Sequence, residues 1–182
     1  MSATVCFCHG RESGPWGTKI RRLALVAETF GCRVMSVDDR DTQDPDERVR
    51  RLVARRSEFG SPLILVGSSM GGYVAAVASG ELSPAGLFLL APAVGLTHYA
   101  VADPAPVVPH LAIVHGWDDD IVPVENVVTF ARRQRATLHL LADGHVLHSS
   151  LDQITCLFRE FLADSLGRPP VVTPARELIA SL

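Results

Sequence analysis

Ser69 stands in the run Gly67-Ser68-Ser69-Met70-Gly71, directly after the apolar stretch Pro62-Leu63-Ile64-Leu65-Val66 and before a segment of helical composition. This is a GxSxG pattern in strand-turn-helix context. Such a turn cramps the backbone at the serine and lifts its hydroxyl above the sheet edge, while the flanking glycines let the two elements approach. A serine hydroxyl is a poor nucleophile in neutral water. It needs an imidazole to take its proton and a carboxylate to hold that imidazole in the right tautomer. Both occur downstream. One apolar run leads into His115-Gly116-Trp117-Asp118-Asp119-Asp120-Ile121-Val122-Pro123, and another into Ala142-Asp143-Gly144-His145-Val146-Leu147-His148.

Each group also has a plainer explanation. Three aspartates ahead of a helix beginning near Pro123 could cap it and complement its dipole. A histidine in an Asp-Gly-His turn could be an ordinary loop residue, and His148 competes with His145 three positions on. What links them is their placement. Ser69, the aspartate cluster and His145 all follow predicted strands, and loops leaving the carboxyl ends of parallel strands gather on one rim of a sheet.

The elements that must position these residues alternate along the chain. Strands are predicted at Thr4 to Cys8, Cys32 to Val37, Pro62 to Val66, Leu87 to Leu90, Leu111 to His115 and Thr137 to Leu141, each apolar on both faces as buried parallel strands are. Helical periodicity lies between them, first over about Pro15 to Phe30 with Ile20, Leu23, Ala24 and Ala27 as its buried stripe. A second helix, about Asp46 to Phe59, turns Val49, Leu52 and Val53 inward. Its Arg48, Arg50, Arg51, Arg55 and Arg56 read as a solvated exterior balanced by Asp44, Asp46, Glu47 and Glu58. A third, Met70 to Ser79, is rich in glycine and alanine and suits close packing on the sheet. The pattern is that of a single-domain three-layer α/β/α sandwich with about six parallel strands. Residues 93 to 110 show no period and read as a long loop, too short for a lid domain, which implies a shallow, open site.

Composition narrows the function classes. With 182 residues, 47% hydrophobic content and a net charge of -3, the chain is an ordinary globular protein without the basic excess that nucleic acid demands. No run approaches the roughly 18 apolar residues of a membrane span, and no secretory leader is evident, so a cytoplasmic location is the expectation. The four cysteines, Cys6, Cys8, Cys32 and Cys156, form no CxxC pair and read as reduced thiols. The glycine-rich run Gly10 to Lys19 fails as a phosphate loop because it reads Gly17-Thr18-Lys19. Metal and cofactor are not expected.

With its GxSxG turn, its HGxxDxxVP block and its glycine-preceded histidine, the chain resembles the α/β-hydrolase fold superfamily over about residues 3 to 165. Its segment Cys8-His9-Gly10-Arg11-Glu12-Ser13-Gly14-Pro15-Trp16 is similar to the short lidless bacterial esterases of the YqiA/YcfP type. The resemblance implies a minimal α/β-hydrolase fold without a cap domain, spanning residues 1–166, with 167–182 as a C-terminal tail. It selects Asp119, three residues after the glycine of HGxxDxxVP, as the acid, and favours His145 as the base. It also implies an oxyanion hole made by the backbone N–H groups of Met70 and Arg11. Trp117 adjoins the acid loop and Trp16 the oxyanion loop, and with Tyr99 and Met70 they are candidate walls for the substrate. The activity so implied is hydrolysis of small-molecule carboxylic esters or thioesters of small acyl groups through an acyl-serine intermediate. The alternative is a binding or sensor protein that keeps the fold without catalysis. The expected partner is a small-molecule acyl ester or thioester, with no nucleic acid or membrane, and the sequence carries no signal of oligomeric state.

Overall fold

The computed structural model describes residues 2–168, so most of the expected tail, 169–182, lies outside the described residues. Its strands are β1 (Thr4–Cys8), β2 (Arg33–Ser36), β3 (Leu63–Ser68), β4 (Gly86–Leu90), β5 (His110–Gly116) and β6 (Thr137–Leu141). They form one sheet in the order β2-β1-β3-β4-β5-β6, and every pair is parallel. The helices are α1 (Thr18–Thr29), α2 (Pro45–Ala54), α3 (Met70–Leu82), α4 (Val124–Gln134) and α5 (Leu151–Leu166).

Alternation along the strands divides the core in two. Val5, Phe7, Val66, Phe88 and Val114 face Leu23, Ala27, Phe158 and Leu162 of α1 and α5. On the opposite face, Cys6, Leu65, Leu87, Leu89 and Ile113 pack against Leu52, Tyr73, Val127 and Phe130 of α2, α3 and α4. Phe88 anchors the first layer, its ring centroid 5.1 Å from Phe158 and 5.2 Å from Phe161. Cys6, Cys8 and Cys32 fill the interior as free thiols, and Cys156 is exposed.

Two expectations about these elements are corrected. β2 and β6 are edge strands and only partly buried, so apolar faces on both sides hold for the inner strands alone. The bounds of two helices also differ: α1 begins later than its apolar stripe suggests, and α2 stops at Ala54 rather than near Phe59. Gly14 to Gly17 make a turn, so α1 starts at Thr18. α2 starts at Pro45 because the Asp44 carboxylate accepts from the N–H groups of Asp46 and Glu47, satisfying donors a helix leaves free at its N-terminus.

The topology fixes where a site can form. The chain leaves β1 toward β2, then crosses back to add β3 on the other side, so the strand order reverses between β1 and β3. Crevices at such reversals, outside the carboxyl ends of the strands, are where open α/β sheets bind ligands. The strands end nearly level, with Cys8 opposite Gly67, Ser68 opposite Leu90 and Gly116 opposite Leu141, so their loops emerge side by side. No helix joins β4 to β5. That connection is an irregular segment held on α4 through Asn126, whose amide donates to the Gly95 carbonyl at 3.2 Å, and on α3 through Tyr99, packed edge-on against Tyr73. Among the described residues no helix is long and apolar enough to cross a membrane.

Candidate active site

The turn between β3 and α3 explains why Ser69 stands clear of the sheet. Ser69 has φ 54° and ψ -120°, a conformation L-residues rarely adopt and one that costs of order 1–3 kcal/mol unless its surroundings enforce it. They do. Its N–H donates to the Leu90 carbonyl at 2.9 Å, and its carbonyl accepts from Gly72, Ala93 and Tyr73 at 2.8, 3.0 and 3.3 Å. Gly67 and Gly71 make the turn possible: a Cβ on Gly67 would meet the Gly71 carbonyl oxygen at 2.3 Å, and one on Gly71 would meet that of Cys8 at 2.0 Å. Met70 is the first residue of α3, so the positive end of the helix dipole points at the Ser69 turn.

Around this turn the three loops converge. His145 Nε2 lies 2.9 Å from Ser69 Oγ, and His145 Nδ1 lies 2.8 Å from Asp119 Oδ2. With the carboxylate accepting from Nδ1–H, Nε2 is left unprotonated and able to take the serine proton. The Asp119 carboxylate is fully buried, and its other oxygen accepts from the N–H groups of Ile121 and Val122 at 2.9 and 2.8 Å. The aspartates do not cap α4, whose N-cap is Pro123 without a side-chain hydrogen bond. His148 is exposed and removed from these contacts, so of the two histidines in the loop it is His145 that meets Ser69.

The first loop comes close on the other side. A methyl group placed on Gly10 would sit 3.4 Å from Ser69 Cβ. Among the described residues, neither the Arg11 nor the Met70 N–H donates to a backbone carbonyl outside regular elements. The Arg11 side chain points outward and pairs with Glu12. Trp16 and Trp117 are 43% and 56% exposed on the loops after β1 and β5. Tyr99 lies within the β4–β5 connection, its ring 4.6 Å from that of Tyr73. Among the described residues no cluster of three or more histidine, cysteine, aspartate or glutamate side chains could hold a metal ion.

Four further residues support the site, of which Asp143 and Lys19 were not singled out from sequence. Asp143 clips the histidine loop closed, one oxygen accepting from Gly144 N–H and the other from Ser150 N–H, both at 2.8 Å. Burial works against its charge, but hydrogen bonds from Ser150 and Gly144 outweigh it and hold the carboxyl below its usual range. The dipeptide Asp-Gly is the signal of such a turn. Lys19 of α1 donates to the Val146 carbonyl at 2.6 Å and ties the same loop to the opposite side of the site. His115 is fully buried; its Nε2 donates to the Val122 carbonyl at 3.0 Å and lies 3.5 Å from Asp119 Oδ2. Burial pushes its pKa down, so it stays neutral beside the carboxylate.

The fourth, Arg48, corrects the arginine-rich exterior assigned to α2. Arg50, Arg51 and Arg55 do lie outside, paired with Glu47, Asp41 and Glu58. Arg48 turns inward with 2% exposure, one helical turn from buried Leu52. The i, i+4 relation to Leu52 was the signal, overridden by the charge of the side chain.

No family model and no curated protein matches the chain. Solved structures do. A protein of Xanthomonas campestris pv. campestris assigned to the α/β superfamily of hydrolases is 31% identical, with 89% of this chain and 99% of that one aligned at a TM-score of 0.81. The fold is shared with Est1E from Butyrivibrio proteoclasticus (TM-score 0.77, 16% identity, 92% and 89% of the two chains). It is shared also with a lidless α/β serine hydrolase from Xanthomonas campestris (TM-score 0.70, 21% identity, 89% and 81%). With a six-stranded parallel sheet, five α-helices and no cap domain among the described residues, the chain belongs to the α/β hydrolase superfamily.

Proposed function

We propose that this hydrolase cleaves small-molecule carboxylic esters or thioesters of small acyl groups through an acyl-serine intermediate. The observation that carries the reading is His145, bridging Ser69 Oγ at 2.9 Å and Asp119 Oδ2 at 2.8 Å. Ser69 Oγ attacks the acyl carbon while its proton passes to His145 Nε2. Asp119 keeps the proton of Nδ1 in place and stabilises the imidazolium. The tetrahedral oxyanion is held by the Met70 and Arg11 N–H groups, where donors fixed in advance act on charge that develops only in the transition state. As the carbon–oxygen or carbon–sulfur bond breaks, His145 returns its proton to the leaving alcohol or thiol. Water then attacks the acyl-serine by the same route in reverse, giving the free acid and restoring Ser69. Trp16, Trp117 and Tyr99 serve as walls beside the acyl and leaving groups, and the chemistry calls for no cofactor. A site left open by the absence of a cap suits a small acyl group carried on a leaving group that extends into solvent.

Turnover of p-nitrophenyl acetate and butyrate tests the reading. Ser69→Ala is expected to abolish it while melting as the parent does; parent-like turnover by that variant overturns the nucleophile assignment. A chain that shows no serine-dependent turnover across an acyl-ester and acyl-thioester panel would instead be a binding protein on the hydrolase fold.

A further inference from the structure

Arg48 is a buried cation whose hydrogen bonds all end on backbone carbonyls. Its Nε and Nη2 form a fork on the Thr42 carbonyl at 3.0 and 2.7 Å, and its Nη1 reaches the carbonyls of His9 at 3.3 Å and Gly10 at 3.4 Å. No carboxylate comes within ion-pairing distance of it among the described residues. A guanidinium withdrawn from water without a paired anion costs several kcal/mol, so a solvated position like those of its neighbours would be the cheaper one.

His9, also buried, bonds the same stretch of backbone. Its Nε2 accepts from the Asp39 N–H at 3.1 Å, which leaves Nδ1 as the protonated nitrogen, and Nδ1 donates to the Gly10 carbonyl at 2.7 Å. Ser13 Oγ lies 3.4 Å from the same oxygen. Three donors from three places in the chain therefore converge on one carbonyl.

That carbonyl belongs to the peptide whose other end is the Arg11 N–H. In a planar trans peptide the C=O and N–H point in opposite directions, so fixing one fixes the other. We infer that Arg48 and His9 form a buried clamp that holds the Gly10–Arg11 peptide with its N–H facing the oxyanion position beside Ser69. Both are positioning residues. The positive guanidinium also polarises the peptide it holds, strengthening the Arg11 N–H as a donor. This inference rests on the acyl-serine reading above, and it adds the means by which one half of the oxyanion hole is built before substrate arrives.

The test compares Arg48→Met, Arg48→Lys, His9→Leu and His9→Asn, with Arg50→Met as a control on the solvent side of the same helix. Steady-state kinetics with p-nitrophenyl acetate are measured beside inhibition by a trifluoromethyl ketone, whose adduct with the serine carries an oxyanion. Removing an oxyanion donor outright costs about 10² to 10³ in rate, so loosening one is expected to lower kcat by about 10- to 100-fold for Arg48→Met and His9→Leu. KM should change by less than about twofold, because the interaction is made in the transition state. The inhibition constant of the ketone should rise by the same factor as kcat falls. His9→Asn keeps a donor where Nδ1 stood and should recover most of what His9→Leu loses, and Arg48→Lys should fall between Arg48→Met and the parent. If Arg48→Met does not fold, Arg48→Lys and the His9 pair carry the comparison. Folded variants with parent-like kcat, or with the loss confined to KM and the ketone bound as before, would overturn the clamp. Turnover and fluorophosphonate labelling that survive Ser69→Ala would instead bring down the acyl-serine reading, whatever the Arg48 variants do.

Discussion

Two glycines of α3, nine residues apart, should respond to the same substitution in opposite directions. A Cβ on Gly71 would lie 2.0 Å from the Cys8 carbonyl oxygen, 2.4 Å from its carbon and 2.6 Å from the His9 oxygen, all of them backbone. Carbon and oxygen approach to about 3.3 Å at closest, so Gly71→Ala must drive α3 and the end of β1 apart by roughly 1 Å. That movement separates Ser69 and Met70 on one element from the Gly10–Arg11 peptide on the other. A misplacement of about 1 Å can cost around 10² in rate. Overpacking of this kind destabilises by about 1–3 kcal/mol. At Gly80 the added Cβ would meet nothing within 4 Å. There the gain in helix propensity of alanine over glycine, about 0.5–1 kcal/mol, should appear alone. In a domain of this size each kcal/mol moves the melting temperature by about 2–4 °C, so Gly71→Ala should melt several degrees lower and Gly80→Ala slightly higher than the parent. Thermal unfolding followed by circular dichroism and turnover of p-nitrophenyl acetate would read both. Parent-like kcat and melting for Gly71→Ala would refute the claim that contact between the nucleophile turn and β1 sets the geometry of the site.

Other expectations follow from single residues. His145→Ala should lose activity as Ser69→Ala does, while His148→Ala, altering an exposed side chain, should keep most of it; the reverse result in the same kinetic assay would reassign the base. Asp119→Asn should lower kcat by up to about 10⁴ with little loss of secondary structure, because an amide can present its N–H to Nδ1 and favour the wrong tautomer; a loss below tenfold would contradict the assigned role. Burial holds the pKa values of both His9 and His115 below the ordinary histidine value. The unfolded chain then binds protons near about pH 6.5 that the folded one does not, so stability should fall as pH drops below that value and level off beneath the depressed folded values. Urea midpoints measured between pH 7.5 and 5 should show this slope, reduced in His9→Asn; a flat profile in the parent would count against neutral buried imidazoles.

Much of this site was legible because its chemistry is local in sequence. GxSxG, HGxxDxxVP and Asp-Gly-His each follow an apolar run, and parallel pairing alone carries all three to one rim. The inner strands were legible for the same reason, since β1, β3 and β4 are uninterrupted apolar segments. What escaped was set by neighbours distant in sequence. β2 and β6 are apolar enough to read as central, and only the strand order puts them at the edges. Arg48 carries a charge that argues for solvent, yet the carbonyls of His9, Gly10 and Thr42 draw it inward. The start of α1 depends on a glycine turn, which hydrophobic periodicity does not register.

The most direct test of the central claim is to map the site of covalent labelling by a fluorophosphonate. Peptide mass analysis of the labelled protein should find one modified residue, Ser69, with labelling lost in Ser69→Ala and strongly slowed in His145→Ala. An unlabelled parent, or a label carried on any other residue, would contradict the account.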